Sequence, residues 1–211
     1  MTTARAVAFG PLTIAYDDRV LTPRPWTALQ SRWAADLASR AGDDGVLLEL
    51  CSGAGHIGLL ASHLSGRPLV AVDIDPVACE VMAANADAAG LTERVEIRNA
   101  PLASALAPGE RYAVAIADPP WVASAAIERF PDDPTLAIDG GDDGLDLARA
   151  CVEACRDHLV AGGSLLVQVG DAEQAAALVA GLDADGPWTA GELRHGGEGE
   201  SRGVVQELVH A

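Results

Sequence analysis

The chain has 211 residues, 49% of them apolar and 21% charged, which fits one large globular domain, or one domain with a short appendage. It carries 31 acidic residues against 14 basic ones, a formal charge of −17, and every basic residue is Arg. Phosphate neutralisation supplies most non-specific nucleic-acid affinity, so this balance argues against a broad DNA- or RNA-binding face and against docking on anionic membranes. No apolar run reaches the ~20 residues of a membrane span. The N-terminus has no apolar stretch of signal-peptide length, so a cytoplasmic protein is expected. Cys51, Cys79, Cys151 and Cys155 form no CxxC pair, and no His or Cys cluster completes a metal site. Free thiols in a reducing compartment, and no metal, are the expectation.

Residues 7–22 read as a hairpin: Leu12, Ile14 and Tyr16 alternate, Asp17-Asp18 makes the turn, and Val20-Leu21 return. Pro23-Arg24-Pro25 blocks a helix until Trp26, after which Trp26, Leu29, Trp33 and Leu37 recur at helical spacing, up to about Gly42. An apolar run at 46–50 leads into a Gly-rich turn at 53–58 and a helix carrying Ile57, Leu60, Ala61 and Leu64. A second run at 69–72 ends at Asp73-Ile74-Asp75-Pro76 and is followed by a helix that Gly90 stops. Short strands are predicted at 95–97 and 112–117, the latter ending at Asp118-Pro119-Pro120-Trp121. Leu145, Ala148, Val152, Cys155 and Leu159 form a helical stripe, which Gly162-Gly163 breaks before a strand at 164–169. A helix at 172–182 and strands at 189–194 and 204–209 complete the chain, with a polar turn at 196–203.

Strands alternating with helices predict an α/β fold with a mostly parallel sheet. No linker separates two domains; residues 1–42 form a hairpin and helix, and residues 43–211 the main unit. The longest irregular segment is the acidic, Gly-rich stretch 131–144.

In such sheets ligands sit at the carboxyl ends of the strands, near the point where strand order reverses. Three strand ends here carry suitable residues. The first is Glu49-Leu50-Cys51-Ser52-Gly53-Ala54-Gly55, where glycines let the turn approach a ligand closely. Glu49 would repel a pyrophosphate but suits a ligand with ammonium and hydroxyl groups, which favours S-adenosylmethionine over NAD. The second is Asp73, about 20 residues after the Gly-rich turn and placed to accept from ribose hydroxyls. Ile74 beside it offers an apolar face for adenine, and Asp75 before Pro76 reads as a helix cap. The third is Asp118-Pro119-Pro120-Trp121. Prolines lack N–H donors, so carbonyls around them are free to accept from an amino group. Asp118 adds an acceptor, and Trp121 a stacking surface.

Together these motifs resemble a class I S-adenosylmethionine-dependent methyltransferase, and more closely the HemK/PrmC-like group, whose members methylate a glutamine amide nitrogen in release factors. Residues 20–27, Val-Leu-Thr-Pro-Arg-Pro-Trp-Thr, resemble that group's Pro-Arg-Pro-Glu-Thr-Glu stretch. Asp118-Pro-Pro-Trp121 stands at its Asn-Pro-Pro-Tyr, and residues 138–146 resemble its Asp-Gly-Gly-x-Asp-Gly-Leu loop. Residues 162–170 resemble its fifth strand, and 195–202 its last Gly-rich turn with an Arg. The resemblance implies a Rossmann-like seven-stranded sheet with helices on both faces and the last strand antiparallel. It implies that Glu49 and residues 51–55 wrap the amino-acid end of the cofactor and that Asp73 binds its ribose, with Ile74, Asn99 and Ala100 near the adenine. Asp118 would touch both cofactor and acceptor. Pro119, Pro120 and Trp121 would hold the acceptor nitrogen, and Pro25, Trp26 and Thr27 would line the substrate side.

The departures are specific. Asn99-Ala-Pro-Leu102 stands where the resemblance has an acidic step after the third strand of the sheet, so either Asn99 or a backbone N–H takes its place or the adenine is held more loosely. No counterpart of the helical N-terminal domain of longer members is expected, and a small partner subunit or a homodimer is the expectation that goes with it. Asp118 replaces Asn: an ionised carboxylate only accepts hydrogen bonds, and it can stabilise positive charge on an attacking nitrogen or act as a general base. The expected function is N-methylation of an amide or amine of a protein or small molecule. Methylation of exocyclic amino groups of nucleobases, or a non-catalytic cofactor-binding subunit, are the alternatives. Residues 139–146 form either a lid over the acceptor site or a disordered acidic loop.

Overall fold

The computed structural model describes residues 5–41, 45–196 and 203–211. The boundary expected at 42/43, the end of the first helix near Gly42, and most of the turn at 196–203 lie outside these residues. Strands β1 (Arg5–Phe9) and β2 (Leu12–Tyr16) form the hairpin. Its turn is Gly10-Pro11, with Gly10 at φ +60, rather than Asp17-Asp18. Asp17 to Val20 is a second turn, closed by Val20 N–H on the Asp17 carbonyl, and Val20-Leu21 do not return as a strand. The alternation of Leu12 and Ile14 is sound, since both are buried; the Gly-Pro pair ahead of them supplies the turn.

A short 3-10 turn, Pro25–Thr27, runs into α1 (Ala28–Arg40). Its buried face is Gln30, Ser31, Trp33, Ala34, Ala35 and Ala38, rotated from the expected Trp26–Leu29–Trp33–Leu37 stripe. Small Ala side chains let the helix approach the sheet closely, while Leu29 and Leu37 sit at its margin. Then follow β3 (Leu47–Leu50), α2 (His56–Ser65), β4 (Leu69–Asp73), α3 (Pro76–Ala88), β5 (Val95–Asn99) and β6 (Tyr112–Ala117). Asp75 caps α3 as expected, its Oδ1 accepting from Val77 N–H at 2.9 Å. After a long connection holding the short α4 (Thr135–Ile138) come α5 (Asp146–Cys155), β7 (Leu159–Val169), α6 (Ala172–Ala180), β8 (Trp188–His195) and β9 (Val204–His210).

The helix expected to reach Leu159 stops at Cys155, and Leu159 opens β7 instead. Gly162-Gly163 do not break the chain; they lie inside that strand. Gly162 takes φ +76 where the pairing with β6 shifts register. Leu159 is four residues past Cys155, so it continues the apolar phase of a helix as well as it begins a strand.

The main sheet runs β5-β4-β3-β6-β7-β9-β8, parallel except for β9, which is antiparallel to both neighbours. Strand order reverses between β3 and β6, and every residue of these two strands is buried. Helices α1, α2 and α3, with the hairpin, build the core on one face; α5 and α6 build it on the other. The carboxyl ends of β3, β4 and β6 therefore meet at the switch point.

Candidate active site

After β3 the chain turns sharply through Cys51, whose φ of +56 makes it the only described residue other than glycine in the left-handed region. Its Sγ lies 3.9 Å from Cys151 Sγ on α5, so the thiol fills space beneath the loop. Ser52 N–H donates to the Val72 carbonyl and Gly55 N–H to the Ser52 carbonyl, at 3.1 and 2.8 Å. Gly55 caps α2 at φ +78, and a Cβ there would stand 2.4 Å from Met82 Cγ. At Gly53, by contrast, a Cβ would meet nothing within 4 Å: this part of the turn faces open space. Ala54 is buried, and its carbonyl accepts from Asn85 Nδ2.

Glu49 is buried on β3. Its Oε1 accepts from Gly58 N–H at 2.9 Å, while Oε2 is buried and accepts from no described donor. Burial pushes its pKa up to about 8, against the pull of the Gly58 hydrogen bond. Ser52 Oγ is likewise buried with no described partner. Asp73 closes β4 and braces the loop: Oδ2 accepts from Gly53 N–H at 2.7 Å and Oδ1 from Asp75 N–H at 2.9 Å. Burial raises its pKa as well. Ile74 projects outward, 59% exposed, beside it. Asn99 donates through Nδ2 to the carbonyls of Asp73 and Ile74, which leaves Oδ1 as its outward acceptor. The Ala100 N–H is spent on the Asp73 carbonyl, so it is not available in place of an acid.

Asp118 follows β6 and links this region to a cavity of about 530 Å³. The cavity wall includes Trp26, Thr27, Asp118, Pro119, Trp121 and Gln168. Asp118 Oδ1 accepts from Gln168 Nε2 at 2.6 Å. Burial raises the Asp118 pKa to about 7, partly offset by that hydrogen bond. Its charge also contributes to the upward shift at Glu49, so the two regions share one electrostatic field. Trp121 packs against Gly170, where a Cβ would stand 2.7 Å from the indole ring; its carbonyl accepts from Gln174 Nε2. Pro120 is partly buried, and its carbonyl lies against Gly140. Thr27 is buried and donates to the Arg24 carbonyl at 2.8 Å, while Pro25 is exposed and stands outside the cavity wall.

Residues 139–146 are neither a free lid nor a loose loop. Val122 pairs with Asp139. Asp139 Oδ1 accepts from Ser124 Oγ and Gly141 N–H, and Asp143 pairs with Arg149 at 2.6 Å. The stretch just before it borders the cavity, through Phe130, Asp133, Ala137 and Ile138. Asp133 pairs with Arg24 at 3.1 Å across the mouth, where Phe130 is 38% exposed. Gln168, Phe130 and the Arg24–Asp133 pair were not singled out by the sequence. Only the position of Gln168, next to a motif-bearing Gly170, hints at its role.

No family model matches the chain. It is 34% identical to a release factor glutamine methyltransferase of Mycolicibacterium smegmatis, over 96% of this chain and 72% of that protein. It is 34% identical to a ribosomal protein uL3 glutamine methyltransferase of Bradyrhizobium diazoefficiens, over 73% of this chain and 52% of that protein. The chain spans about half the length of the uL3-type relatives it matches. Among solved structures, the hMettl16 catalytic domain in complex with a MAT2A 3′UTR hairpin superposes with a TM-score of 0.72 at 17% identity, over 92% of this chain and 72% of that one. TrmN from Thermus thermophilus superposes at 0.63 and 19% identity, over all of this chain and 60% of that one. These two likenesses show the methyltransferase fold.

Proposed function

This chain belongs to the glutamine methyltransferase family of the release-factor and uL3 enzymes, and we propose that it transfers a methyl group from S-adenosylmethionine to a side-chain nitrogen of a protein, a glutamine carboxamide foremost. One observation carries the reading: Asp118 both walls the acceptor cavity and shares its field with Glu49 at the Gly-rich turn.

The residues at the strand ends fit the cofactor. Glu49 Oε2 and Ser52 Oγ are buried acceptors with no donor among the described residues, suited to the ammonium of the amino-acid end. Open space at Gly53 admits close approach, together with Cys51, Ala54 and Gly55 as the rest of the wrap. Asp73 accepts from the backbone N–H groups of Gly53, Asp75 and Ile74, and its two oxygens still have lone-pair capacity for ribose hydroxyls. Ile74 would cover one adenine face, Ala100 would wall it, and Asn99 Oδ1 would accept from the amino group. Three carboxyl groups with raised pKa values favour a cation among them. When bound, S-adenosylmethionine supplies an electrophilic methyl group on a sulfonium.

The chain's own residues do the rest. Trp121 and Trp26 would sandwich a planar acceptor group. Asp118 and the cavity wall beside it, Pro119 included, orient its nitrogen, so that positioning supplies most of the acceleration. Asp118 stabilises positive charge developing on that nitrogen and takes its proton at Oδ2. Because burial raises Asp118 to about 7, activity should climb as pH rises through neutrality and the carboxylate ionises. A release factor or ribosomal protein as acceptor would place the chain in the cytoplasm.

The test is calorimetry with S-adenosylmethionine, followed by labelled methyl transfer to purified release factor, uL3, tRNA and small amines in parallel. Cofactor binding with label on a protein supports the reading. Label confined to RNA, or binding with no transfer at all, contradicts it.

A further inference from the structure

Gln168 stands on β7 with 1% of its surface exposed, yet it borders the acceptor cavity. Its Nε2 donates to Asp118 Oδ1 at 2.6 Å. Its Oε1 is buried and accepts from no described donor. An amide oxygen kept from water and from protein donors is costly unless a ligand brings the hydrogen. Beneath it, Gln30 of α1 donates through Nε2 to the carbonyls of Ala117 and Leu166, at 3.0 and 2.9 Å. That bond pair ties the ends of β6 and β7 together and fixes the base on which Asp118 and Gln168 stand. The Asp118–Gln168 bond also sets polarity. Oδ1 already accepts from Gln168, so Oδ2, with no described donor, is the stronger acceptor for the incoming group.

We propose that Gln168 is a positioning and specificity residue of the acceptor site: its amide nitrogen fixes Asp118, and its carbonyl oxygen accepts an N–H of the incoming amino group while Asp118 Oδ2 accepts another. The proposal rests on the methyl-transfer reading and adds to it the class of acceptor, a nitrogen that brings at least two N–H bonds.

The probe is sinefungin, a cofactor analogue with an amino group in place of the methylated sulfonium, compared by calorimetry with S-adenosylhomocysteine, which lacks that group. A charged amine hydrogen-bonded to Gln168 and Asp118 should make the unaltered chain prefer sinefungin by about tenfold or more. Gln168→Met should reduce this preference at least about fivefold while leaving S-adenosylhomocysteine affinity within about twofold. Gln168→Glu keeps an acceptor but loses the N–H. It should retain the sinefungin preference while kcat for the protein acceptor falls about tenfold or more and KM stays within about threefold. An unchanged preference in Gln168→Met overturns the proposal. If that variant does not fold, an unchanged kcat in Gln168→Glu overturns it. Failure of both nucleosides to bind the unaltered chain overturns the methyl-transfer reading and this proposal with it. Normal nucleoside binding without transfer to any acceptor counts against that reading alone, and the sinefungin comparison still decides for or against Gln168.

Discussion

The Gly-rich turn after β3 and the cavity beyond β6 lie side by side, but they are assembled in different ways. The turn is held mainly by hydrogen bonds among residues close in the chain: Glu49 to Gly58, Gly53 to Asp73, Asp73 to Asp75, and, 31 positions apart, Ala54 to Asn85. The cavity is assembled from segments far apart in the chain: Gln168 to Asp118, 50 residues away, and Arg24 to Asp133, 109 residues away. A site built locally tolerates little change in its backbone. A site built from distant side chains can change its chemistry by single substitutions, as Asp118 and Trp121 illustrate where the family resemblance has Asn and Tyr.

Substitutions should separate the two regions. The largest effect is expected for Asp118→Ala, which should fold normally, bind cofactor, and lose about 100-fold or more in kcat. A wild-type rate in that variant would remove Asp118 from the mechanism. Next, Gly55→Ala puts a methyl group 2.4 Å from Met82 Cγ on a backbone at φ +78. It should lower stability by about 1–3 kcal/mol in chemical denaturation and weaken cofactor binding.

A smaller effect comes from one buried acid and one part-buried acid. Glu49 and Asp118 have folded pKa values raised to about 8 and about 7. The folded chain thus binds protons more tightly than the unfolded one, and the associated stability is present below the ordinary carboxylate range and lost as pH rises through those values. Without cofactor, Tm should fall as pH rises from about 5 to about 8, by about 2–4 °C for each kcal/mol lost. Glu49→Gln should flatten that slope and weaken cofactor binding; an unaltered slope would assign the pH dependence to other groups. The smallest effect is expected at the cavity mouth. Arg24→Ala breaks an exposed ion pair with Asp133, which should cost under about 1 kcal/mol in stability. It should raise KM for a protein acceptor while leaving cofactor affinity unchanged.

The two regions were also unequally legible in the sequence. The parallel strands, the Gly-rich turn, the Asp75 cap and the Asp-Pro-Pro-Trp corner could all be read there, because each is a local pattern with a local cause. Misreadings came where one pattern served two structures. Leu159 continued a helical stripe yet opened a strand, and Asp17-Asp18 looked like the hairpin turn that Gly10-Pro11 makes. Gln168 is marked in the sequence only by its place near Gly170, because a Gln in a buried strand carries no periodic signal. Its partner becomes evident only when β6 and β7 are laid side by side. Asn99 can stand in for an acid only as an acceptor: its Nδ2 donates to the carbonyls of Asp73 and Ile74, and Oδ1 is left for a ligand.

The central claim is that the corner at Asp118 delivers a methyl group to a protein nitrogen. The most direct measurement incubates the chain and its Asp118→Ala variant with S-adenosylmethionine and purified release factor or uL3, then maps the modified residue by peptide mass spectrometry. The account predicts a methyl group on a glutamine side chain with the unaltered chain and none above background with the variant. Cofactor-saturated protein that methylates neither acceptor, or a variant that methylates as well as the parent, would contradict it.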